Sequence, residues 1–134
     1  MRCLVNLERE ARNAAKLSRD RSLQRAATSH GRVMVATDCL DHRCPGERSL
    51  GTRLAKAGYF VDARTWEYAE NTGCASSAEA MVASWMASRV HRVFLLGRDF
   101  RDLGVGVLQT PVASLCEDDY ATFAIVVAWR ELES

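Results

Sequence analysis

A chain of 134 residues, 48% of them hydrophobic, can bury about two-thirds of the surface it exposes when unfolded, so one domain over residues 1–134 accounts for its length without a second core. With 18 basic against 17 acidic residues the formal net charge is +1, which removes any electrostatic reason to expect nucleic acid or an anionic membrane as partner. No apolar run approaches the roughly 20 residues that a transmembrane helix needs, and Met1-Arg2-Cys3-Leu4 leads directly into charged sequence rather than a signal peptide.

The pattern from Cys3 to about Ala15 mixes Leu4, Val5, Leu7 and Ala11 with charged residues and predicts a first helix. Ser18 is a candidate N-cap for a second helix, in which Leu23, Ala27, His30 and Met34 recur at helical spacing up to about Thr37 or Asp38. His30 lies on that apolar stripe and reads as a core histidine with one satisfied nitrogen, not a ligand. Asp38 to Gly46, with Pro45-Gly46 and flanking aspartates, predicts a loop that carries His42. A short helix from Ser49 to Ala57 follows, closed by Gly58, with Leu50, Leu54 and Tyr59 inward.

Trp66 to Asn71 alternates aromatic and polar residues, as a half-buried strand does, and alternation sets Glu70 on the face of Tyr68. Ser76-Ser77-Ala78-Glu79 is a capping-box pattern for a helix bearing Met81, Val82, Trp85 and Met86, with Ser88 and His91 about one turn apart beyond it and Gly97 ending the helical stretch. Leu103 to Leu108 alternates side chains with Gly104 and Gly106, so one face is bare and another element can approach its backbone. Thr122 to Trp129 is apolar on both faces, which predicts a central strand covered by helices above and below. The solvated connection through Pro111 and Glu117-Asp118-Asp119 suits antiparallel neighbours. Trp66, Trp85 and Trp129 are read as core.

Five cysteines are many for a small cytosolic domain. Cys39 and Cys44 are close enough to bridge locally, the alternative for Cys39-x-x-His42-x-Cys44 being half of a zinc knuckle with no second half in the sequence. The odd count leaves at least one thiol unpaired. For Cys3 the expectation is an upstream partner or a recorded start inside a longer secreted chain.

Read in order, these residues resemble a family. Leu4-Val5-Asn6-x-Glu8-Arg9, His42 with Gly46, Arg53-Leu54-x-x-Ala57-Gly58-Tyr59, Glu70-Asn71, Trp85-Met86-x-Ser88-x-x-His91-Arg92 and Phe100-x-x-Leu103-Gly104-Val105-Gly106-Val107 are similar in sequence and spacing to the CAP superfamily (cysteine-rich secretory, antigen 5, pathogenesis-related 1), in particular its small bacterial SCP-like branch. The resemblance implies an α/β fold: a three-layer α/β/α sandwich with a small central antiparallel sheet. It also implies a secreted domain whose cleft is lined by histidines and acids. Carried over by position, His42 and His91 match the two histidines that hold a divalent metal, zinc or magnesium, and Glu70 matches the acid. Ser88 stands where a second acid is found in other members, and Ala69 replaces the usual glycine before Glu70. Cys74 and Cys116 are candidates for a second disulfide.

Two imidazoles leave most positions of an ion to water, so such a metal is weakly held, with Glu70 as a third ligand or as the group that orients a ring, and Asn71 and Ser88 lining the cleft. The plainer alternative is that Glu70 and Asn71 satisfy backbone groups while His91 closes a helix. The favoured function is a secreted binding domain for an extracellular small molecule, lipid, peptide or cell-envelope component. A metal-assisted hydrolase with Glu70 as catalytic base is the alternative, although no oxyanion donor is identifiable.

Overall fold

Every residue from Ala121 to Ala128 is buried in the computed structural model, which describes residues 1–133. This double-sided apolar strand organises everything else. It belongs to β4 (Ala121–Leu132), which pairs antiparallel with β2 (Ala63–Ala75) on one side and with β3 (Asp102–Leu108) on the other. A two-residue strand, β1 (Ser18–Arg19), adds a parallel edge to β3, giving the order β1-β3-β4-β2. The three long strands are thus antiparallel, and β1 is a short exception.

Alternation along β4 sorts its side chains into two layers. Phe123, Ile125 and Val127 join Val5, Met81, Val82, Trp85, Leu95 and Leu103 in one core, under α1 (Arg2–Glu10), α4 (Ala78–Ala87) and α5 (Arg89–Leu95). Ala124, Val126 and Ala128 face the other core with Leu23, Ala27, Met34, Leu54 and Tyr59, under α2 (Arg21–Thr37) and α3 (Leu50–Ala57). Helices on both sides of a four-stranded sheet make the expected α/β/α sandwich.

The small residues of the second face let α2 sit directly on backbone. A Cβ added at Gly104 would lie 2.1 Å from the Leu23 carbonyl carbon, and one at Gly106 would lie 2.4 Å from the Ala27 oxygen. These two glycines are therefore required by close approach, as the alternation in the sequence implies.

Several boundaries differ from expectation. Helix α1 stops at Glu10 instead of Ala15, because the following segment is held from inside the fold: Asn6 accepts from Leu17 N at 2.8 Å and donates to Leu17 O at 3.1 Å. Arg9 is fully buried and donates to the carbonyls of Ala15, Leu95, Gly97 and Phe100, which satisfies a charge that would otherwise be expensive to desolvate. Ser18 is in strand, and the cap of α2 is Asp20, whose carboxylate accepts from Leu23 N at 2.9 Å. The helix opened by Ser77 breaks at Ser88, where extended backbone separates α4 from α5. Trp66 is not core. It is 44% exposed and stacks on Phe60 at 4.5 Å between ring centroids, while Trp85 is 1% exposed.

Two disulfides close the chain locally and at distance, Cys39 with Cys44 and Cys74 with Cys116, and Cys3 is free and exposed. The first bridge removes both thiols of the zinc-knuckle alternative.

Candidate functional site

Strand β2 lies at the sheet edge, and its period of two sends consecutive residues to opposite layers. Glu70 enters the layer of α2 and α3, whereas Asn71 enters the layer of α4 and α5, and both are nearly fully buried. The adjacent pair therefore joins two different groups of side chains.

On the Glu70 side, the loop bearing His42 is tied at its base by the Cys39–Cys44 bridge, and its backbone is held by Arg53, which donates to the His42 carbonyl. His42 Nδ1 lies 2.9 Å from Glu70 Oε1, a charge-assisted hydrogen bond from a ring 56% exposed to a carboxylate 1% exposed. That bond raises the His42 pKa above its ordinary value; partial burial opposes it, the negative charges of Glu70 and Asp41 add to it, and the Arg53 charge subtracts. With Nδ1 committed to Glu70, Nε2 is the nitrogen available to a ligand, the orientation that a carboxylate imposes on metal-binding imidazoles.

His30 belongs to this same group, which its sequence context does not signal. It is completely buried, as its place on the α2 stripe implies, but both ring nitrogens are engaged: Nδ1 with Glu47 Oε2 at 2.7 Å and Nε2 with the Asp41 carbonyl at 2.8 Å. Nε2 also stands 3.6 Å from Glu70 Oε1. Arg53 completes the group, with Nε 3.6 Å from Glu47 Oε2 and Nη1 3.7 Å from Glu70 Oε2. At those separations neither Arg53 Nη1 nor Glu70 Oε2 has a hydrogen-bond partner, although both are buried. Glu47 also accepts from Cys44 N at 3.0 Å, so the loop, α2, α3 and β2 meet on two carboxylates.

On the other side, Asn71 Nδ2 donates to the His91 carbonyl at 3.0 Å, and His91 Nδ1 lies 2.9 Å from Ser88 Oγ. Ser88 sits in the break between α4 and α5, one turn before His91, so the break positions both groups. The sequence-predicted residues thus fall into two contacts: His42 with Glu70, and His91 with Ser88 and, through its backbone, Asn71. The link between the two is the peptide unit between Glu70 and Asn71.

Among the described residues no group of three or more His, Cys, Asp and Glu side chains is arranged to hold a metal ion. Glu70 is also a poor third ligand, since Oε1 accepts from His42 and Oε2 lies buried beside Arg53. Nδ1 of His42 is engaged by Glu70 and Nδ1 of His91 by Ser88, so the ring nitrogens left to a ligand are the two Nε2 atoms. An ion on such a pair would take the rest of its coordination from water.

The succession of elements, the two-layer core and the His42–Glu70 contact now stand beside a direct match, since residues 3–127 fit the cysteine-rich secretory protein family, CAP. The chain belongs to the CAP family. Among solved structures, this CAP domain is similar to an extracellular protein containing a SCP domain from Bacillus anthracis, with a TM-score of 0.71 and 26% identity over 91% of this chain and 37% of that one. It shares the fold of an outer surface protein from Borrelia burgdorferi, with a TM-score of 0.74 and 17% identity over 95% of this chain and 87% of that one. A cysteine-rich secretory protein from Staphylococcus aureus gives a TM-score of 0.62 and 20% identity over 93% and 35% of the two chains. The CAP domain therefore spans little more than a third of the Bacillus and Staphylococcus proteins. No curated protein sequence matches it. No helix among the described residues is long and apolar enough to cross a membrane.

Three members of the Glu70 group escape a reading of the sequence. Arg53 stands inside a stretch that carries the family resemblance, where it reads only as part of a helix. Glu47 and His30 give no local signal, because their partners are brought to them by tertiary folding.

Proposed function

We propose that this CAP domain is an extracellular binding module, in which the His42 ring presented by Glu70 forms the recognition point for a small molecule, lipid, peptide or cell-envelope component. The observation that carries this reading is the 2.9 Å contact between a buried carboxylate and a half-exposed imidazole. A buried acid holding an exposed ring in one orientation is preorganised for binding, because the ring loses little freedom when a ligand arrives. The family's solved neighbours described as extracellular or outer-surface proteins support the compartment.

In this reading, His42 and His91 offer their Nε2 atoms to a weakly held divalent ion, zinc or magnesium, which when bound would supply a positive charge for an anionic or carbonyl group of the ligand. Hydrolysis fits less well. A catalytic base must be free to take a proton from water, and Glu70 is enclosed by His42, His30 and Arg53.

The test is a titration of the protein with zinc chloride and, separately, magnesium chloride, following the imidazole signals of all three histidines by NMR. Parallel saturable shifts of His42 and His91, lost for both in His42→Ala, are expected, with His30 unmoved. Independent responses of the two rings, or none, would remove the shared ion and leave His42–Glu70 as a metal-free recognition point.

A further inference from the structure

On the far side of the sheet from Glu70, the edge of strand β3 that faces away from β4 has no paired strand along most of its length among the described residues. β1 pairs only with Asp102 and Leu103 and then ends. The alternation of the ladder fixes which groups this exposes. Asp20 N donates to Leu103 O, so Leu103, Val105 and Val107 direct their backbone N–H and C=O groups away from β4. Val105 N–H is met by the Gln24 side chain at 2.9 Å. The Val105 carbonyl and both backbone groups of Val107 extend past β1 with no strand opposite them.

This open edge is the floor of a cavity of about 510 Å³. Helix α2 forms one wall through Gln24 and Thr28, and the start of α1 forms the other. Arg2 and Arg19 line the cavity, both exposed, and no carboxylate lines it. Val107 is 42% exposed on the same strand. Natural sheets cover or charge such edges because they template further pairing. Here the edge is walled and cationic on one side.

We propose that this groove takes an extended peptide segment carrying an acidic group, which adds as a strand to β3 between α1 and α2. The peptide's backbone would pair with Val105 and Val107, its alternate side chains would meet the Val107 surface, and its carboxylate would lie by Arg2 or Arg19. The site is separate from His42 and Glu70, across the sheet, and does not depend on their reading.

The probe is a phage-displayed library of random dodecapeptides selected on the intact protein, followed by synthesis of the enriched sequences. Expected are peptides with alternating apolar residues and at least one Asp or Glu, whose binding shifts the backbone amides of Val105 and Val107 and leaves the His42 ring unchanged. Val107→Pro removes only the outward N–H, since Val107 makes no ladder bond to β4 through it, and Arg19→Glu reverses the local charge. Each should weaken binding at least tenfold. Methylating alternate peptide nitrogens of the probe should do the same without altering the protein, which keeps the test valid if Val107→Pro folds poorly. Failure to enrich any peptide, shifts mapping elsewhere, or affinity indifferent to peptide N-methylation would overturn the proposal. So would self-association of the protein abolished by Val107→Pro, which would make a second copy the occupant.

Discussion

His30 of α2 and Glu47 of the following loop share a buried hydrogen bond of 2.7 Å, and the same imidazole stands 3.6 Å from Glu70 of β2. A histidine that helical periodicity places in the core is therefore the junction at which the loop bearing His42 meets the strand that orients it. His30→Leu preserves volume but leaves two buried carboxylates with one fewer partner. A loss of about 1–3 kcal/mol is expected, the usual cost of leaving a buried polar group without its hydrogen-bond partner, read as a lowered urea midpoint with unchanged slope.

The His42–Glu70 contact has a definite pH signature. The folded-state pKa of His42 is raised, chiefly by its hydrogen bond to Glu70. A raised pKa means that the folded state holds the proton more tightly, so the stabilisation is complete below the unfolded value of about 6.5 and fades as pH rises through the folded value. The stability difference between the native protein and His42→Asn should be largest in mildly acidic solution and shrink toward alkaline pH. NMR titration of the ring should show the pKa falling toward about 6.5 in Glu70→Gln. A difference that grows with pH would contradict the assignment.

The disulfides should contribute unequally. Cys74 and Cys116 are separated by 42 positions and Cys39 and Cys44 by 5, so the first restricts the unfolded chain much more. Replacing Cys74 and Cys116 by alanine should cost about 2–4 kcal/mol, and replacing Cys39 and Cys44 less. The smaller loss should nevertheless broaden the His42 signal, because that bridge closes the base of its loop.

Gly104→Ala and Gly31→Ala separate two kinds of crowding. At Gly104 the new methyl meets the backbone of Leu23, whereas at Gly31 it meets the tip of the Leu108 side chain at 2.6 Å. The first should destabilise by about 1–3 kcal/mol or more through displacement of α2. The second is offset by the gain in helix propensity of about 1 kcal/mol, since Leu108 can move its terminal carbon aside. Thermal melts of the two variants should therefore differ by several degrees.

Elements whose pattern repeats within one segment are legible in the amino-acid sequence itself. The double-sided apolar run of β4, the stripe of α2 and the paired glycines of β3 all announce themselves locally, and each stands where its pattern places it, whereas the capping-box spacing of Ser76 and Glu79 points one residue early, the cap of α4 being Ser77. β1 is not legible, since two residues contain no period, and Ser18 looks as much like a cap as like a strand. Arg9 stands among charged residues of its helix, and what makes its burial tolerable is the Ala15 carbonyl together with those of Leu95, Gly97 and Phe100, supplied from far along the chain. At the candidate site, His42 and Glu70 are recognisable by their positions. His30, Glu47 and Arg53 are not, because what distinguishes them is their mutual distance, a property of the packed layers and not of any window of sequence.

The bare strip on β3 reaches further than its own strand. With nothing between Gly104, Gly106 and the backbone of α2, that helix has no compressible layer beneath it, and it carries His30 rigidly at its inner face. A side chain added at Gly104 or Gly106, where the obstacle is the backbone of the helix itself, should lift His30 off Glu47 and Glu70 and slacken the ring of His42 from a distance. A substitution that touches neither His42 nor Glu70 should therefore loosen the contact between them.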